Sequence, residues 1–251
     1  MIDSMKDAHQ ILLEHRGTWE RKPILRWVYE DYYKRIESLL PDEASHVVEI
    51  GSGSGNFKDQ MPSSLASDCV KCTWLDVVFD AQRMPFRQEK VDAFVMIDVL
   101  HHIASPVLFL QEVIRTLRPG GRLIVVDPYI SPFSRLVFKL AHPEPVDFSE
   151  DFYRNLPLES DPWDSNQAMA TQLFWRDPER FGMAFPSLRI QHRSRFDWLI
   201  YPLSGGFRPY SFIPRFLASA LRGVSNWRFP SWISGFRTLV SLQKVEPDVT
   251  R

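Results

Sequence analysis

The rhythm of apolar residues changes several times along the chain, and each change marks an element. Leu25, Val28, Tyr29, Tyr32, Ile36 and Leu39 recur at spacings of three and four, the stripe of an amphipathic helix, and Pro41 ends it. The next run, HVVEI, is short and β-branched and breaks into GSGSG at residues 51–55, which reads as strand, tight turn and helix. A second short strand is expected over Ser64–Ser67, ending on Asp68, and a third over Leu75–Phe79, ending on Asp80. VDAFVMIDVL reads as a buried strand through Ile97, followed by a turn carrying Asp98, His101 and His102. Ser105 and Pro106 cap and open a helix whose apolar face is Leu110, Val113, Ile114 and Leu117, closed by Pro119 and Gly120. GRLIVVDP is the fifth strand, and Leu188–Arg193 and Leu239–Val245 read as two late strands. The alternation predicts an α/β fold: a doubly wound, mostly parallel seven-stranded sheet with helices on both faces and an antiparallel edge strand.

The chain of 251 residues, 44% of them hydrophobic, reads as one domain that can bury its core without disulfides or metals. Within it, residues 1–44 form an N-terminal helical segment and 45–130 a ligand-binding core. The pattern then loosens over 131–187, where acids such as Glu144, Asp147, Glu150, Glu159 and Asp164 accumulate; a segment of that length reads as a lid or acceptor segment. Residues 188–251 hold the late strands and an aromatic, basic insertion.

A formal charge of −1 argues against nucleic acid as a partner, because phosphate binding needs a clustered excess of Lys and Arg. The N-terminus lacks a secretory pattern, and no window reaches the roughly 18 apolar residues of a spanning helix. A cytoplasmic protein is expected. Cys69 and Cys72 are spaced C-x-x-C, but nothing nearby supplies two further zinc ligands, so they read as ordinary thiols and no metal is expected. From Trp198 to Val245 there is no acid, while Arg208, Arg215, Arg222, Arg228, Arg237 and Lys244 alternate with ten aromatic residues. The stripe Phe212, Ile213, Phe216, Leu217, Ala220, Leu221 and Val224 either packs on the sheet or rests on the inner face of a membrane, holding a lipid-linked acceptor.

Gly51, Gly53 and Gly55 follow a strand directly, and glycines there let the backbone approach a ligand. Their spacing is G-x-G-x-G with Asn56 next and Glu49 ahead, not the G-x-G-x-x-G of dinucleotide sites, which suits a ligand without a pyrophosphate. An acid about 20 residues on can take both ribose hydroxyls. Asp68 fits, and Asp76 is its rival if KCTWLD is the second strand; Asp68 is favoured because LDVVFDAQRMPF is then free to be the third.

The series VVEIGSGSGNF, DAQRMPF, VMIDVLHHI and FLQEVIRTLRPGGRLIVVDP resembles the successive motifs of class I S-adenosylmethionine-dependent methyltransferases of the type 11 kind, over about residues 45–130. The C-terminal half is similar to bacterial methyltransferases of unassigned substrate. The resemblance implies a Rossmann-like fold, S-adenosylmethionine as cofactor and methyl transfer. It implies that Glu49, Gly51, Ser52, Gly53 and Gly55 line the methionine and ribose side, with Asp68 on the ribose, Asp80 and Ala81 at the adenine and Asp98 beside the site. His102 is then the first candidate for a general base and His101 the second, with Tyr129 and His142 as weaker acceptor contacts. The expected acceptor is an oxygen or nitrogen of a small molecule, a sugar or a lipid-linked glycan. The competing readings are an NAD-dependent oxidoreductase and a non-catalytic binding protein that retains the cofactor fold; the sequence does not speak to oligomeric state.

Overall fold

The computed structural model describes residues 2–141, 144–154, 165–197, 200–214, 216–217 and 230–246. Two helices, α1 (Ile2–Arg21) and α2 (Pro23–Glu37), lead into β1 (Val47–Ile50). The predicted stripe is the buried face of α2: Leu25, Val28, Tyr29, Tyr32 and Ile36 pack on Val95, Ile124 and Val126 of the sheet. Pro23 at its start supplies a φ already suited to a helix and no amide left to satisfy. Then come α3 (Phe57–Gln60), β2 (Leu65–Asp68), β3 (Val77–Val78), β4 (Val91–Ile97), a 3-10 turn at Leu100–His102, α4 (Pro106–Thr116) and β5 (Leu117–Pro128). The C-terminal part adds α5 (Pro132–Ala141), α6 (Met169–Thr171), α7 (Pro178–Ala184), β6 (Leu188–Phe196), α8 (Ile200–Ser204) and β7 (Arg237–Lys244).

The strands form one seven-stranded sheet in the order β3-β2-β1-β4-β5-β7-β6. All neighbours from β3 to β5 are parallel, and β7 runs antiparallel to both β5 and β6. The fold is thus the Rossmann-like one, with a refinement at its end: the reversed strand lies one place in from the edge, and β6 is the edge. Both faces are covered. Phe94, Met96, Leu123 and Val125 face a cluster with Phe109, Leu110 and Val113 of α4; Ala93, Val95, Ile124 and Val126 face the α2 cluster. This is why β4 and β5 read as continuous apolar runs rather than alternating ones.

Two expectations need correction. Helix α4 stops at Thr116, and Leu117 opens β5 instead of completing the helical stripe. The chain leaves the helix there because Glu89 and Lys90 donate their amides to the carbonyls of Arg115 and Thr116, and Leu117 pairs with Val91. The stretch 131–187 is not a loose cover throughout: Met169, Ala170, Leu173, Phe174, Phe181 and Phe185 are core residues packed with Leu188, Val240 and Leu242. Residues 155–164 of that stretch lie outside the described residues.

Lys22, buried between α1 and α2, donates to the carbonyls of Gly206, Arg208 and Tyr210 at 2.7, 2.8 and 2.8 Å, tying the N-terminal helices to the loop after α8. Of the predicted C-terminal stripe, Ile213 is buried and Phe212, Phe216 and Leu217 are exposed; Ala220, Leu221 and Val224 lie outside the described residues. Among the described residues no helix is long and apolar enough to cross a membrane.

Candidate active site

The carboxyl ends of β1, β2 and β4 open into a cavity of about 880 Å³. Strand order reverses between β1 and β4, and in such sheets the crevice at that switch is where ligands bind. Glu49, Gly51, Ser52, Gly53, Asp68, Asp80, Ala81, Asp98, His101 and His102 all line this cavity. Of the residues singled out from the sequence for the cofactor, Gly55 is the exception. It has a φ of +78°, but a Cβ there would stand 2.7 Å from Trp74 Cδ1, so it turns toward that ring, away from the cavity.

The other glycines differ from each other. Gly51 has a φ of +67°, and a Cβ there would fall 2.3 Å from Val99 Cγ2, so it is required by the close crossing of the β1 and β4 ends. Gly53 has a φ of +51°, and its nearest neighbour to such a Cβ is Leu12 Cδ2 at 3.8 Å, leaving the backbone open to the cavity. Ser52 Oγ accepts from the amide of Ser67 at 2.9 Å and holds the loop against β2. Glu49 is buried, and its Oε2 has no hydrogen-bond partner among the described residues. Burial pushes its carboxyl up to about 8, with the neighbouring Asp68 charge adding to that and a hydrogen bond from Ser52 opposing it.

Asp68 Oδ2 accepts from Gly53 N at 2.9 Å and Oδ1 from Val70 N at 3.0 Å, so the acid clamps the glycine loop from the end of β2. Its rival Asp76 is not in the lining; it takes Lys58 and the amide of Ala66 on the outside of the sheet. Asp80 Oδ1 accepts from Gln82 N at 2.8 Å, which closes a turn and leaves Ala81 against the cavity. A buried carboxylate short of a donor, backbone exposed at Gly53, and two acids at the ends of consecutive parallel strands fit a ligand with ammonium, diol and amine donors such as S-adenosylmethionine.

Asp98 adopts a φ of +59° just past β4 and joins the N- and C-terminal parts of the chain. Its Oδ2 accepts from the Tyr29 hydroxyl of α2 at 3.1 Å, and its Oδ1 pairs with Arg237 of β7. Arg237 is 3% exposed, with its guanidinium carbon 4.0 Å from the Tyr201 ring centroid. Burial works against its charge, but Asp98 and the surrounding Tyr201, Tyr32 and Tyr29 together outweigh that and raise its pKa well above the usual value. From sequence, Arg237 was one cation in a basic tail; its place in the cavity wall comes from the pairing of β7 with β5.

His101 is 4% exposed, and its Nδ1 lies 2.9 Å from Oδ1 of Asp127, a fully buried acid near the end of β5. Its Nε2 lies 3.7 Å from Glu144 Oε2, and its ring stands 4.2 Å from that of His102, centroid to centroid. Burial lowers the imidazole pKa, but Asp127, Asp98 and Glu144 together more than compensate and the net shift is upward. One ligand atom each from His101, His102 and Glu144 lies within 4.8 Å of the others, a grouping that no linear spacing announces. Glu144 is brought there by Asn166, whose amide donates to the carbonyl of His101 at 2.8 Å, and by Gln167, whose amide donates to the carbonyl of Pro145 at 3.0 Å.

Tyr129 does not line the cavity; it packs on Trp175, with Arg195 over its ring, and His142 lies outside the described residues. Cys69 is an exposed free thiol, and Cys72 is buried with its Sγ 3.5 Å from His9 Nδ1.

Residues 48–125 match the family model described as a methyltransferase domain. A demethylmenaquinone methyltransferase from Beutenbergia cavernae is 33% identical over 153 residues, which is 49% of this chain and 63% of that protein. A tRNA (carboxymethyluridine(34)-5-O)-methyltransferase from Mus musculus is 31% identical over 136 residues, 48% of this chain. The chain spans about a fifth of the length of such tRNA methyltransferases, 19% for this one. In fold, the chain is similar to an S-adenosylmethionine-dependent methyltransferase from Archaeoglobus fulgidus, with a TM-score of 0.53 at 11% identity, covering 87% of this chain and 94% of that one.

Proposed function

We propose that this chain, which carries a methyltransferase domain of the class I S-adenosylmethionine-dependent family, moves the methyl group of that cofactor to an oxygen or nitrogen of a small molecule, a sugar or a lipid-linked glycan. The observation that carries this reading is the sharing of one cavity by two sets of side chains. Glu49, Gly53, Asp68 and Asp80 present acceptors and open backbone at the strand ends, and His101 and His102 stand in the same space with Asp127 behind. S-adenosylmethionine supplies an electrophilic methyl group on a sulfonium. The protein's part is to hold the acceptor atom in line and close to it, because alignment supplies much of the rate in such displacements.

Residues Glu49 to Asp80 would hold the cofactor, with the unpartnered Glu49 Oε2 taking a donor and Asp68 the ribose hydroxyls. His101 and His102 mark the place where the acceptor is held and its proton leaves. Val137, Phe138, Phe207, Phe212 and Phe236 give that place apolar walls, which favours a small or lipid-borne acceptor over a polynucleotide. The net charge of −1 points the same way. The tRNA methyltransferases among the relatives make tRNA the acceptor to test against.

The test is calorimetry of the purified chain with S-adenosylmethionine, S-adenosylhomocysteine and NAD in parallel. Micromolar binding of the first two without NAD supports the reading. Binding of NAD alone would replace it with an oxidoreductase, and silence from all three would favour a non-catalytic protein. Methyl transfer to tRNA, but not to extracted small molecules and lipids, would overturn the acceptor class.

A further inference from the structure

We infer that His101, His102 and Glu144 form a binding site for a divalent transition-metal ion, of which Zn²⁺ is the representative, at the acceptor side of the cavity. The inference deepens the methyltransferase reading and rests on it only for what the metal would hold, not for the site itself.

Three observations converge. The first is the donor set: two imidazole nitrogens and one carboxylate oxygen lie within 4.8 Å of one another, close enough that small side-chain rotations would draw them onto one small cation. Two His and one Glu are a ligand set that such ions accept with a coordination position left open. The second is the support behind it. His101 Nδ1 faces the buried Asp127 Oδ1 at 2.9 Å, and a carboxylate there holds the proton on Nδ1 and leaves the Nε2 lone pair on the side of Glu144, 3.7 Å away. A metal-binding histidine is usually held in this way, by a carboxylate on its other nitrogen. The third is Gln167, 2% exposed and part of the cavity lining. Its Nε2 donates to Glu144, while its Oε1 is buried with no hydrogen-bond partner among the described residues, a polar atom short of a cation or a donor beside the cluster.

The competing account is a protonated His101 bridging Asp127 and Glu144. That arrangement explains His101 and Glu144 but leaves the buried Oε1 of Gln167 without a hydrogen-bond partner among the described residues. With a metal in place, His102 would serve as a ligand instead of a general base, and since all three ligand residues line the cavity an acceptor there could reach the ion. An acceptor with a hydroxyl, phenolate or carboxylate oxygen is the chemistry that ion would take.

The site is tested on the full chain stripped with chelator and dialysed, by calorimetric titration with ZnCl₂ and, separately, MgCl₂, with S-adenosylhomocysteine binding measured on the same samples. One equivalent of Zn²⁺ at micromolar affinity or better is expected, with Mg²⁺ at least a hundredfold weaker. His102→Ala and Glu144→Gln, both at partly exposed positions, are expected to weaken Zn²⁺ at least tenfold while melting near the parent temperature. Asp127→Asn is expected to weaken it about tenfold through His101. With Co²⁺, visible d–d absorption is expected in the parent chain and not in His102→Ala. No Zn²⁺ binding, or binding that survives both variants, would overturn the inference. So would binding abolished by Cys72→Ser, which would move the ion to the His9 and Cys72 pair. Zn²⁺ binding without S-adenosylhomocysteine binding would leave the metal site standing and remove the methyltransferase reading; the reverse would remove the metal site alone.

Discussion

The wall of the cavity that carries Glu49, Gly51, Gly53, Asp68 and Asp80 comes from one short stretch of chain, whereas the rest of the lining is gathered from the whole length of it. Leu12 and Tyr29 come from α1 and α2, Phe138 from α5, and Phe207, Phe236 and Arg237 from the C-terminal third. The first wall is made by backbone turning at the ends of parallel strands, so its demands fall on single positions: a left-handed φ here, an acid there. The second is made by packing and by polar links between distant elements, among them the Asp98–Arg237 and His101–Asp127 pairs. A contiguous wall can be carried between proteins as a motif, and residues 48–125 match a family model. A gathered wall can be rebuilt for a new acceptor without disturbing that motif.

The sharpest way to break this comparison is at Glu49. In the unfolded chain the carboxyl loses its proton near 4.5, and in the folded chain near 8. The folded state therefore binds more protons across that window, and stability falls as pH rises from 4.5 to 8. Glu49→Gln should flatten the dependence and recover about 4 kcal/mol at pH 8.5, read from urea unfolding across a pH series. If Glu49 holds the cofactor as proposed, the same variant should weaken S-adenosylhomocysteine more than tenfold; unchanged affinity would remove that role.

On the gathered wall, Arg237→Met leaves Asp98 with only Tyr29 among the described residues, in a largely enclosed site, and a loss of about 3 kcal/mol is expected. The double variant with Asp98→Asn should recover more than half of it; strict additivity would show that the pair is not what joins the walls.

Between the two glycines the expected effects differ in kind. Gly51→Ala must displace Val99 and should cost about 2 kcal/mol, part of it returned by Val99→Ala. Gly53→Ala meets only the backbone penalty, about 1 kcal/mol, and should instead show itself in weaker cofactor binding. Equal losses of stability at the two positions would contradict the geometry.

Much of this was readable from residues in order. The stripe of α2, the β-branched runs of β1, β4 and β5 and the acids at the ends of β2 and β3 are local signals, because a helix or strand face is set by neighbours three or two residues away. Leu117 shows the limit of local signals: it continues a helical spacing, and only the amides of Glu89 and Lys90 and the pairing with Val91 draw it into β5. Gly55 looked like its fellow glycines and is distinguished by Trp74, which lies 19 residues away in sequence. Nor could spacing have joined Glu144 to His101, or Asp127 to either. These are meetings between elements, and each depends on how far a helix or loop swings before it packs.

The sequence by itself determined the strand-loop-helix units, the glycine turn and the class of ligand that a turn at a strand end can hold, because these follow from bonds and contacts within a few residues. Only the tertiary structure decided which glycines face the cavity, that Arg237 closes on Asp98, and that His101, His102 and Glu144 share one space. Those outcomes depend on sheet order and on β7 running back between β5 and β6, and strand pairing across 100 residues leaves no periodic trace in the chain.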